Sequence, residues 1–138
     1  MRAKQYLKEL KRLDTCINQK IQELDELKAA ASSIGSIDYS KERVQTSPPQ
    51  EAPFVKLIPK IIDLEYEINA EIDKYVDEKH LIINQIQNMS NADYISLLYR
   101  RYVEYKTFED IAKEMKYSVR GIYFMHGRAL QEFENLYL

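Results

Sequence analysis

Cysteine is nearly missing from this chain, with Cys16 alone among 138 residues. A single thiol can form neither an internal disulfide framework nor a thiolate metal cage, and a reducing cytosol is the compartment that suits it. Turn formers are scarce as well, at 3 Gly and 4 Pro, while 45% of the residues are hydrophobic. A chain so rich in helix formers and so poor in breakers is expected to be all-α. No run of about 18 apolar residues occurs, so no membrane partner is expected. Lys4, Lys8, Glu9, Lys11 and Arg12 interrupt any charged-apolar-small leader pattern, and the expected location is cytoplasmic. Net charge is also slight, at −2, and bulk electrostatics give no push toward a polyanion.

Catalytic patterns are absent too. There is no Gly-rich phosphate loop and no cysteine with a plausible histidine partner, and Glu109-Asp110 is explained by a helix N-terminus. His126 has no companions that could complete a metal site. The expectation is a protein that is not an enzyme, with no catalytic residue, no cofactor and no metal.

What is present is helical periodicity. In 1–35, Tyr6, Leu10, Leu13, Ile17, Leu24, Leu27, Ala31 and Ile34 fall on a 4-3 repeat broken by Lys20, the seam of a coiled-coil helix. Residues 36–53, with Pro48, Pro49 and Pro53, read as a linker or open loop. A second long helix is expected over 54–89, with Pro59 in its first turn. Its seam runs through Ile61, Ile68, Ile72, Tyr75, Ile82, Ile86 and Met89, with Glu65 and Lys79 as polar interruptions that fix register or face water. The two seams are similar in length and can pair as an antiparallel hairpin. Ile21, Ile62, Leu64, Val76 and Ile83 widen the apolar stripe beyond one partner, so a homodimer is expected.

Residues 90–138 carry the most specific pattern. Ser90-Asn91-Ala92-Asp93 starts a helix bearing Leu97, Leu98, Tyr102 and Val103. Thr107 is positioned to cap the next, with Asp110 three residues on. Phe108, Ile111, Ala112 and Met115 share one face, and Ala112 is small enough for a second helix to cross closely. Ser118 can cap that second helix only three residues after Met115, the short connection of a helix-turn-helix. Ile122, Met125, Ala129 and Phe133 then point inward, and Arg120, Gly121, Tyr123, Phe124 and Gly127 point outward, where a recognition helix meets a major groove. The local charge is favourable, because residues 94–128 hold seven Lys or Arg against four Asp or Glu.

The segment from Tyr99 to Leu130, with Tyr102-Val103, Thr107 to Ala112, Tyr117-Ser118, Arg120 and His126-Gly127-Arg128-Ala129-Leu130, resembles the DNA-binding region 4 of sigma-70-type factors. Over roughly 55–135 the chain is similar to small phage and prophage proteins with such a C-terminus, related to late-transcription regulators of the RinA and ArpU kind. The resemblance implies a three-helix, sigma region 4-like domain behind the helical hairpin. It also implies contact with host RNA polymerase through the outer surface of the 91–105 helix, with Arg100 and Arg101 exposed. Where those proteins carry Arg, Lys or Gln, this chain has Tyr123 and Phe124, which lack a donor fork, leaving Arg120 as the strongest base-contact candidate.

The leading expectation is a DNA-binding transcription regulator that meets a double-stranded promoter or operator through Thr107, Lys116, Ser118, Arg120, Gly121, Tyr123, Phe124 and Arg128. Two alternatives stand beside it. One is a protein-binding adaptor or inhibitor of RNA polymerase or another phage factor, using Tyr123 and Phe124. The other is a DNA-packaging accessory.

Overall fold

The computed structural model describes residues 2–40 and 53–138, and every regular element among them is helical. Helix α1 spans Arg2–Ser40 and α2 spans Leu57–Gln87, entered through a 3-10 turn at Pro53–Lys56. Most of the expected 36–53 linker lies outside the described residues; where it is described, 36–40 continue α1 and Pro53 opens the turn into α2. Helix α3 (Ala92–Leu98) starts at Asn91, whose side-chain oxygen accepts from the N–H groups of Asp93 (2.9 Å) and Tyr94 (3.2 Å). Two N–H groups that a helix start leaves unpaired are thereby satisfied.

The sequence suggests one continuous helix over 91–105, whereas the structure widens it. Tyr99–Val103 forms a π-helical turn closed by the Glu104 N–H on the Tyr99 carbonyl at 3.1 Å. Such a turn lets the chain leave the helix early and rotates the side chains that follow. Helix α4 (Phe108–Met115) starts at Thr107, whose Oγ1 accepts from Asp110 N–H at 3.1 Å. It ends at Lys116, which adopts the left-handed conformation at φ 62°. Helix α5 (Val119–Tyr137) begins at Ser118, whose Oγ accepts from Gly121 N–H at 3.0 Å.

The chain divides into two units, Met1–Asp14 with Lys74–Leu138, and Thr15–Asp73. The first has two cores. Ala3, Leu7 and Leu10 of α1 join Ile82 and Ile86 of α2, Leu98, Tyr102 and Val103, and Ala129, Leu130 and Phe133 of α5. Leu97, Ile111, Ala112 and Ile122 form the second, tying α3, α4 and α5 together. Polar bonds pin the last helix within this unit: Tyr137 OH donates to the Gln85 carbonyl at 2.7 Å, and Glu134 accepts from Ala3 N–H at 3.2 Å. Residues 90–138 therefore share a core with the first turns of α1 and the last turns of α2.

In the second unit Leu24 packs with Leu64 and Ile68, flanked by Leu27 and Ile61. Lys20 meets Glu71 (3.4 Å) and Glu67 (3.8 Å), and Lys28 meets Glu65 (3.8 Å), pairings that run antiparallel. The seam expected along α2 needs one correction. Ile72, expected on it, is 36% exposed, while Leu64, expected to face a second chain, is buried here. From Ile68 the seam continues three residues on, at half-buried Glu71, which pairs with Lys20, rather than four on at Ile72. Ile21, Ile58, Ile62, Tyr66 and Ile72 stay exposed in this unit. Among the described residues no helix is long and apolar enough to cross a membrane.

Candidate nucleic-acid interface

The three-residue link Lys116–Ser118 brings α5 across α4, and the closeness depends on Ala112, which is buried beside Leu97, Ile111 and Ile122. Tyr117 OH donates to Asp93 Oδ2 at 3.0 Å, anchoring the turn to the start of α3. That bond to a carboxylate raises the Tyr117 pKa. Inward from the turn, Ile122, His126, Ala129, Leu130 and Phe133 of α5 are buried. Their burial fixes which side of α5 faces out: Val119, Arg120, Tyr123, Phe124, Gly127 and Arg128 are all exposed.

On that face the two aromatic residues are held differently. Tyr123 lies against Phe108, ring centroids 4.6 Å apart, whereas Phe124 has no ring partner among the described residues and is 64% exposed. Arg120, Arg128, Lys113 and Lys116 are exposed, and none pairs with a carboxylate among the described residues. A stretch of apolar surface framed by free cations is therefore presented at the start of α5. Thr107 and Ser118 accept N–H bonds as caps, so each hydroxyl hydrogen is left to donate to an approaching oxygen. Gly121 leaves room for the cap, because a Cβ there would come 3.1 Å from Ser118 Oγ and the hydroxyl would have to shift by a few tenths of an ångström.

The expectation that Arg100 and Arg101 are exposed is corrected. Arg100 donates through Nη1 to Glu114, and its Nε is buried without a hydrogen-bond partner among the described residues. Arg101 sits 4.1 Å above the Phe108 ring and donates to the Lys106 carbonyl at 2.9 Å. The π-helical turn swings both arginines toward α4, where ring and carboxylate engage them. Lys106 also reaches Glu114, at 2.7 Å; this hydrogen bond holds the Glu114 carboxyl below its usual range and raises the Lys106 pKa.

Sequence reasoning missed the support beneath the face. His126 Nε2 meets Tyr102 OH at 2.7 Å, and the His126 ring stands edge-on to Phe108 with centroids 4.9 Å apart. Burial, with Arg101 nearby, pushes the His126 pKa down to about 4, so the imidazole is neutral near pH 7; burial likewise raises Tyr102 to about 12. Tyr102 and His126 are 24 residues apart on different elements, and no local spacing announces their bond. Among the described residues no group of three or more His, Cys, Asp or Glu could hold a metal ion. Comparisons with family models, curated proteins and solved structures find no match for this chain.

Proposed function

We propose that this protein is a DNA-binding transcription regulator of phage type that places the outward face of α5 in the major groove of a promoter or operator. The observation that carries the reading is the open face bearing Arg120, Phe124 and Arg128 directly after a short turn, with its cations free of carboxylate partners among the described residues. Arg120 is the base reader, Lys116 and Arg128 contact phosphates, and the Thr107 and Ser118 hydroxyls donate to backbone oxygens. The sequence resemblance to sigma region 4 supports the same assignment. Ile21, Ile58, Ile62, Tyr66 and Ile72 favour a second copy on the Thr15–Asp73 unit, which would present two readers to a two-fold site. Contact with host RNA polymerase follows from the resemblance, with Arg100 and Arg101 no longer its natural carriers because both are engaged internally.

The test is an electrophoretic shift on upstream fragments across a salt series. Two cationic phosphate contacts per chain, Lys116 and Arg128, give a log–log slope near −1.8, so affinity per chain falls roughly 12-fold between about 50 and 200 mM salt. Arg120→Ala should weaken a specific site more than random duplex. Absence of any complex with duplex at low salt sinks the proposal. The exposure of Phe124 also favours a second reading, an adaptor or inhibitor that docks this face on a protein. Recovery of polymerase subunits by wild-type chain but not by Phe124→Ala, with no duplex bound, would select it.

A further inference from the structure

We infer that the outward face of α5 selects thymine, with Phe124 as an apolar wall and Gly127 as a notch that together receive 5-methyl groups in the major groove; this rests on the DNA-binding reading above. Two independent features lead there. Phe124 is solvated, although its neighbour Tyr123 shows that a ring on this face can find an internal partner. Burial that other core side chains gain is forgone by a phenylalanine left in water. Gly127 is the second feature. It lies inside a helix, where glycine is less favourable than alanine. A Cβ at Gly127 would meet nothing within 4 Å, so nothing inside the described chain requires the glycine. A Cβ at Gly121, by contrast, would press on the Ser118 hydroxyl at 3.1 Å.

Residues three apart on a helix are neighbours, so the bare backbone at Gly127 lies one turn beyond Phe124, whose side chain leans toward the helix start and leaves that backbone uncovered. A surface lacking a Cβ at that point lets a base edge approach the helix closely. Arg120 and Arg128 lie four residues to either side of Phe124, framing it along about 12 Å of helix axis. Free cations on both sides select a polyanion as the occupant of this apolar patch, and the carboxylate that lines the same hollow, Asp93, is engaged by the Tyr117 hydroxyl. Within a major groove the thymine methyl is the distinctive apolar feature on a base edge. An aromatic wall inside a cationic frame is therefore complementary to one or two thymines beside the base that Arg120 contacts.

The experiment uses the full chain and duplexes that it selects from a random library at low salt. Each thymine is replaced in turn by deoxyuridine, which removes only the methyl group, and affinity is read by fluorescence anisotropy. Loss of about 4-fold per contacted methyl is expected at one or two adjacent positions. Phe124→Ala should abolish that sensitivity while leaving the salt dependence unchanged. Gly127→Ala should weaken binding to the thymine duplex although the variant melts higher than wild type. If uracil substitution is silent at every position of a duplex that still binds, thymine selection is overturned and DNA binding stands. If Gly127→Ala binds as wild type does, the notch is overturned. If the library yields no bound duplex, the DNA-binding reading falls and thymine selection with it.

Discussion

Lys116 offers a measurement in which stability and binding should move in opposite directions. It closes α4 at φ 62° and ψ 42°, a conformation that glycine adopts freely and that costs a side-chain-bearing residue about 1–2 kcal/mol. Its ammonium makes no ion pair among the described residues, so Lys116→Gly removes no internal ion pair that would offset the relief of strain. The added freedom of glycine in the unfolded chain takes back about 0.5–1 kcal/mol, leaving a net gain of roughly 0.5–1 kcal/mol. For a chain of this length that raises Tm by about 2–4 °C. Calorimetry with a matched salt series on duplex DNA would measure both effects. The melting point should rise while the slope of log affinity against log salt becomes shallower by about 0.9. A lower melting point would mean that the left-handed turn is not strained, and an unchanged slope would remove Lys116 from the phosphate contacts.

Three further outcomes can be measured directly. Ser118→Ala and Thr107→Ala each delete a cap bond and should cost about 1 kcal/mol in urea unfolding, near-additively because the caps belong to different helices. Tyr102→Phe leaves the buried His126 nitrogen without its hydroxyl partner and should cost about 1–3 kcal/mol. His126 binds fewer protons in the fold than in the unfolded chain between its lowered pKa of about 4 and the ordinary 6.5, so stability is full above that window and lost as pH falls through it. Discounted for residual solvent access, the loss is on the order of 2 kcal/mol, and His126→Gln should flatten this part of the pH–stability curve. Glu114, whose carboxyl is held low by Lys106, adds a loss in the same direction below about pH 4.5.

The parts of the candidate site legible in the sequence are those held by bonds reaching three or four residues. Thr107 and Ser118 announce themselves as caps because their partners, Asp110 and Gly121, lie three positions on. The outward placement of Arg120 and Phe124 follows from the inward stripe of α5 by helical periodicity alone. Arg100 and Arg101 read as exposed in the sequence because a regular helix would leave them on its outer surface. The wider turn at Tyr99–Val103 depends on α4 being there to receive them. The buried role of His126 is hidden for a related reason, since the partners that hold it neutral come from two other elements.

Helical class, the short link between α4 and α5 and the direction of the face beyond Ser118 were determined by the order of residues, because hydrogen bonds and caps within one helical turn need no distant partner. Tertiary structure alone decided the rest. It put Glu71 rather than Ile72 on the α2 seam, drew Ala3 and Leu7 into a core with Phe133, and turned two arginines inward. Each of these outcomes depends on which surface, distant in the chain, meets the side chains of a helix, and a periodic sequence leaves that choice to packing.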